Sequence, residues 1–397
     1  MSIGNSPASP SAETLDILGT LIGFDTTSRN SNLGLIEWVR DRLERHGVDT
    51  RLTHDEGGAK ANLFATVGRP RDGGLILSGH TDVVPVDGQD WSSDPFRARI
   101  SEGKLYGRGA CDMKGFIACA LASVPALLEM EAERPFHLAL SYDEEVGCIG
   151  VRGLISDLAE QGLQPAACIV GEPTRLKLVV AHKGHRHLRC RVRGKEAHAS
   201  DPARGVNAIE HAARIISWVH TVAAREATAG HRDERFTVPH STLSCTMISG
   251  GVAVNVVPRD CEITVELRYL PGANADALIN ELKTYAEVCV LPAMKERHAG
   301  ADVQWTLVND APPLAENSAQ ALVDIVSKAA NKPTVDRVAY NTEAGLFQRA
   351  GIPTVLCGPG SIEQAHRPDE YVELRQLAEC ERFLKAVALE FQSAWPR

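Results

Sequence analysis

The sequence predicts an α/β fold: a mostly parallel central sheet flanked by helices, with a second, α+β domain inserted into it. Three observations carry this prediction. Helical and short apolar segments alternate through the first half, which is the pattern of a largely parallel sheet. From about His182 to His298 the texture changes to strands of alternating polarity, as in half-exposed antiparallel sheets. After that stretch the buried-strand pattern returns. The expected domains are therefore residues 1–181 and 299–397 together, with 182–298 inserted between them.

Ser11 is placed to cap a first helix carrying Leu15, Leu18 and Ile22. A second helix runs to about His46 with Ile36, Val39 and Leu43 on one stripe, and Gly47 ends it. Buried strands are read at Asn62 to Val67, Leu75 to Leu77, Leu138 to Leu140 and Cys168 to Val170. In the inserted part, GHRHLRCRVRG, STLSCTMISG and RDCEITVELRYL read as antiparallel strands. NAIEHAARIISWV and the stretch from Ala273 to Cys289 read as amphipathic helices. Ala319 to Ala330 is expected to be helical, and Thr354 to Cys357 a further buried strand.

The chain has 397 residues, 44% of them hydrophobic, enough for packed cores in two domains. A formal charge of -9 argues against nucleic acid or anionic lipid as the main partner, because each would want a basic face, so a small solute is the expected partner. No apolar run reaches the ~18 residues of a membrane span. The opening MSIGNSPASPSAETL lacks the basic region and apolar core of a signal peptide, so a cytoplasmic location is expected. Ten cysteines, from Cys111 to Cys380, form no C-x-x-C pair and read as buried small residues. Cys111, beside Asp112, has a reactive thiol as its alternative reading.

The chemistry gathers at predicted strand ends. LILSGHTDVVP puts His80 and Asp82 just past one apolar strand, and SYDEEVG puts three adjacent acids past another. GRGACDMKG holds Asp112 in a glycine-rich loop before a helical segment, while IVGEPT and GPGSIEQAH add Glu172 and His366. Any one of these is ordinarily a solvated or hydrogen-bonded group; their common placement is the signal. Two imidazoles and three carboxylates suit a pair of borderline divalent ions, with one carboxylate bridging ions ~3.5–4 Å apart. His182, His185 and His187 are also crowded, yet His185 and His187 merely share one strand face and are not read as a metal site.

HTDVVP, GRGACDMKG, DEEVG, GEPT and QAHRPDE, in this order, resemble the M20 metallopeptidase and deacylase family over nearly the whole chain. AHKGH, AHASDPARGVNAIE, NTEAG and GPGSIEQAHRPDEY resemble its acetylornithine deacetylase branch. The resemblance implies a two-metal hydrolase of a linear amide, releasing acetate from an N-acetylated amino acid in arginine biosynthesis. Zn2+ is the implied metal, with Co2+ also compatible. Asp112 would bridge the ions, His80 and Glu172 completing one and Glu145 and His366 the other. Asp82 would accept the second N–H of His80, fixing its tautomer.

Glu144, adjacent to a ligand, is implied to be the general base that later returns its proton to the leaving nitrogen. The inserted domain would serve as a lid and as the surface of a homodimer, with His198 stabilising the oxyanion within or across subunits. Asn255 and Arg268 would hold the substrate carboxylate, and Glu343 in NTEAG would read ornithine's ammonium. The same ligands serve a succinyl-diaminopimelate desuccinylase or a broader N-acyl amino acid deacylase or carboxypeptidase. A catalytically dead metal-binding module is the alternative from another class, although every acid and imidazole needed is present.

Overall fold

A computed structural model describes residues 9–69, 72–316, 320–332 and 334–396. The chain divides into two compact units: residues 1–181, 314–337 and 342–397, and residues 182–313 with 338–341.

The first unit is built on an eight-stranded sheet. Its order is Asp49–His54, Ala61–Val67, Phe136–Ser141, Leu75–His80, Ala167–Pro173, Thr354–Gly358, Leu178–His182 and Val335–Val338. The sheet is mixed. Phe136–Ser141, Leu75–His80, Ala167–Pro173 and Thr354–Gly358 run parallel, while Ala61–Val67 pairs antiparallel with Phe136–Ser141 on one side and with Asp49–His54 on the other. The antiparallel pairing of Asp49–His54 with Ala61–Val67 follows from the short link across residues 55–60, which allows a hairpin but not a crossover. The four central strands are buried throughout, as strands covered on both faces must be.

Ser11 caps helix Ala12–Ile22 by accepting the Thr14 N–H at 3.1 Å, and the second helix covers Leu33–Arg45. Helix Lys114–Glu129 packs on Leu75–His80 and Ala167–Pro173, with Ala12–Ile22 and Leu374–Ala394 against it. Helix Gln320–Ala330 lies where one was expected, and Ala319 falls outside the described residues. Helices Gly150–Glu160 and Leu374–Ala394 were not anticipated.

The second unit is a four-stranded antiparallel sheet in the order Thr242–Gly250, Asp260–Tyr269, Gly184–Arg193 and Asp302–Ala311. Leu188, Cys190 and Val192 alternate with the exposed Arg189, Arg191 and Arg193, so one sheet face enters the core. Ile215, Val219 and Val222 of helix Ala208–Ala229 and Leu278, Ile279 and Leu282 of helix Ala275–Tyr285 fill that core. The expected end of this unit at His298 is corrected: the edge strand Asp302–Ala311 completes its sheet. A register shift between Leu307 and Asn309 breaks the two-residue period, which hides this strand from a pattern reading.

Nine of the ten cysteines are buried or partly buried, and Cys289 is exposed. Cys111 Sγ lies 3.2 Å from the Ser361 carbonyl, and burial raises its thiol well above the ordinary range, so packing is the reading the structure supports. Among the described residues no helix is long and apolar enough to cross a membrane.

Candidate metal centre

The parallel strands of the first unit end at one edge, where open α/β sheets collect their ligands. His80 is the last residue of Leu75–His80, and Glu172 stands near the end of Ala167–Pro173. Glu144 and Glu145 follow Phe136–Ser141, and His366 follows Thr354–Gly358 in the left-handed region at φ 64°. Asp112 immediately precedes the turn into helix Lys114–Glu129.

Asp112 lies between two imidazoles. Its Oδ1 is 3.0 Å from His80 Nε2, and its Oδ2 is 3.3 Å from His366 Nε2. His366 Nε2 is also 3.0 Å from Glu145 Oε1. One ligand atom each from His80, Asp112 and Glu172 lies within 4.8 Å of the others, and the same holds for Asp112, Glu145 and His366. The structure thus brings the five expected ligands into two triads that share Asp112.

Charge in this cluster is unbalanced. Burial opposes a proton on His80, but Asp112, Asp82 and Glu144 outweigh it and hold the imidazole protonated well above its usual range. Asp112 and then Glu145 push His366 up to about 11. Burial, followed by the Asp112 charge, raises Glu145 and Glu172, and burial also raises Glu144. Carboxylates that repel one another and imidazoles that hold extra protons form a donor set to which divalent cations fit.

Asp82 meets His80 chiefly through its main chain. His80 Nδ1 is 2.9 Å from the Asp82 backbone carbonyl but 3.6 Å from its carboxylate, too far for a good hydrogen bond. The carboxylate instead accepts the Glu144 N–H at 3.0 Å, the Glu145 N–H at 3.3 Å and the Ser28 hydroxyl at 2.7 Å. It ties the acidic loop to the strand end carrying His80.

Glu343 is held between two serines. Fully buried, it accepts the Ser78 hydroxyl at 2.6 Å and the Ser141 hydroxyl at 2.7 Å, one on each oxygen. Those bonds tie the start of helix Ala344–Arg349 to two central strands and hold the Glu343 carboxylate inside the core.

His198, Asn255 and Arg268 lie in the second unit. His198 is exposed, with Nδ1 2.7 Å from Ser200 Oγ, and the strand holding it pairs with Val256 beside the exposed Asn255. Arg268 Nε donates to Glu266 Oε1 at 2.9 Å.

Sequence reasoning missed Glu370, although it quoted the motif QAHRPDE that contains it. One oxygen accepts the Cys111 N–H at 2.9 Å and the Asp112 N–H at 3.1 Å. The other accepts the Gly109 N–H at 3.1 Å and Arg108 Nη1 at 2.7 Å. This buried carboxylate anchors the backbone of the Asp112 loop. Lys60 Nζ, 2.5 Å from Asp143, was likewise unforeseen and steadies the acidic loop.

A sequence profile of peptidase family M20/M25/M40 matches residues 76–390. An acetylornithine deacetylase of Photorhabdus laumondii is 35% identical over 355 residues, 88% of each chain. Another, from Pasteurella multocida, is 35% identical over 356 residues, 89% of this chain and 90% of that one. In fold, the chain is similar to an M20 family metallo-carboxypeptidase from Sulfolobus solfataricus, with a TM-score of 0.73 at 19% identity over 96% of this chain and all of that one. The chain belongs to the M20/M25/M40 peptidase family and is a hydrolase acting on amide bonds.

Proposed function

We propose that the protein is an acetylornithine deacetylase, hydrolysing N2-acetyl-L-ornithine to L-ornithine and acetate with two divalent cations, Zn2+ before Co2+. The observation that carries the two-cation reading is the placing of Asp112, one oxygen toward His80 and the other toward His366. His80 and Glu172 would hold one ion, Glu145 and His366 the other. The substrate is proposed from the likeness to the deacetylases named above.

Bound cations would polarise the scissile carbonyl and lower the pKa of water toward ~7. Glu144 belongs to neither triad, and its carboxyl is left to move protons. Burial raises its pKa, which brings a carboxyl closer to the working pH and suits it both to accept a proton and to return it to the leaving nitrogen. The N–H bond from Glu144 to Asp82 fixes where that carboxyl starts. The oxyanion role of His198, the carboxylate-binding roles of Asn255 and Arg268, and a homodimer formed through the second unit belong to this proposal on the strength of the resemblance alone.

Glu343's burial favours a second reading, a broader N-acyl amino acid deacylase, because Ser78 and Ser141 already engage both oxygens of the group expected to select ornithine. A zinc-reconstituted assay across acetyl, formyl and succinyl derivatives of ornithine, diaminopimelate and neutral amino acids separates the two. A dominant kcat/KM for acetylornithine supports the first, and equal values across acetylated neutral amino acids support the second. Glu144→Gln should abolish turnover while metal content stays near wild type. Near-normal turnover in that variant would refute the base assignment.

A further inference from the structure

His185 and His187 stand two residues apart on strand Gly184–Arg193, opposite in phase to the buried Leu188, Cys190 and Val192, so both project from the open face of the second unit's sheet. Sequence spacing supplies two imidazoles and stops there. Strand register supplies a third group: Glu266, on the neighbouring strand Asp260–Tyr269, is the direct partner of His187.

Their donor atoms converge. His185 Nε2 is 2.8 Å from His187 Nε2, and Glu266 Oε1 is 3.5 Å from the first and 3.9 Å from the second. A point equidistant from these three atoms lies about 2.0 Å from each, the length that Zn–N and Zn–O bonds take. The two rings stand edge to face at 81°, their nitrogens turned toward one another. Arg268 donates to Glu266 Oε1 at 2.9 Å, an outer contact of the kind that orients a ligating carboxylate.

From this geometry we infer that His185, His187 and Glu266 form a third divalent-metal site, distinct from the pair built on Asp112. Two imidazoles and one carboxylate select a borderline ion such as Zn2+, Co2+, Ni2+ or Cu2+ over Mg2+ or Ca2+, which want oxygen ligands. All three side chains are partly exposed, so the ion keeps an open coordination position and exchanges with solvent.

The test is a Zn2+ titration of the full chain against a chromophoric chelator, with bound zinc counted by mass spectrometry after desalting. Wild type should take three equivalents, and His187→Gln and Glu266→Gln two each, with unchanged circular dichroism. Were His187→Gln to misfold, His185→Gln would replace it. Equal stoichiometry in wild type and in these variants overturns the inference. A wild type that binds a single equivalent, lost in His187→Gln, upholds this site and instead sinks the proposed two-cation centre.

Discussion

Replacing Glu370 by glutamine tests whether the Asp112 loop is held by a buried charge. Arg108 and Glu370 are each 1% exposed and meet at 2.7 Å. Removing one partner of such a pair leaves the other ion buried and costs about 3–5 kcal/mol. The substitution also turns an amide NH2 toward two of the four N–H donors now satisfied, from Arg108, Gly109, Cys111 and Asp112. The loop that delivers Asp112 then loses its backbone anchor, and supporting contacts of this kind are typically worth about 10–100-fold in metal affinity. Denaturant unfolding of the zinc-loaded protein and a chelator-competition titration read the two effects. Adding Arg108→Met removes the stranded cation, so the double variant should recover most of the stability but none of the metal affinity. Wild-type zinc affinity in Glu370→Gln, or a stability loss under about 1 kcal/mol, the usual worth of an exposed pair, would refute the reasoning.

Three further outcomes are expected. A Cβ at Gly171 would stand 2.0 Å from the Phe116 ring, so Gly171→Ala should destabilise by about 1–3 kcal/mol and weaken zinc binding by displacing Glu172, as unfolding and titration would show. Asp82→Asn should lower kcat at saturating zinc, because Glu144 and Glu145 share that carboxylate through their backbone N–H groups; an unchanged kcat would return Asp82 to a passive turn. In chelator-stripped protein the ligand cluster should contribute less stability as pH rises. Burial raises Glu144 and Glu172, and the carboxylates raise His366 to about 11, so each contributes stability when protonated that is lost as pH climbs through its folded value. Zinc removes the need for those protons, and the gain in Tm on adding zinc should therefore grow from pH 6 to pH 9, measured by scanning calorimetry.

What could be read from the sequence divides along a physical line. His80, Asp112, Glu172 and His366 were legible because each follows an apolar run or a glycine-rich turn, and the ends of parallel strands meet at one edge whatever the details. Their partners were not. Glu370 anchors a loop 258 positions away, and nothing local marks an acid as the acceptor of four N–H groups. Glu343 looked functional because its motif invites that reading, and only the packed sheet shows Ser78 and Ser141 on its two oxygens. The centre of the sheet followed from its apolar strands, whereas its antiparallel flank depends on how short the link between two strands is, and the edge strand Asp302–Ala311 is masked by its register shift.

The histidine cluster shows the same division most sharply. A two-residue spacing fixes only which face His185 and His187 share, and on that basis the pair was set aside. The register between Gly184–Arg193 and Asp260–Tyr269 sets Glu266 opposite His187, and a slip of one residue would send that carboxylate into the core instead. A constellation assembled from strands far apart in sequence is therefore decided by pairing, which no count of ligand types along the chain contains. It follows that Thr264→His, one step along the same face of Asp260–Tyr269 and paired with Arg189, should not rescue zinc binding in Glu266→Gln, whereas Glu266→Asp should retain part of it. Rescue by the first, or complete loss in the second, would show that the strands pair otherwise than described.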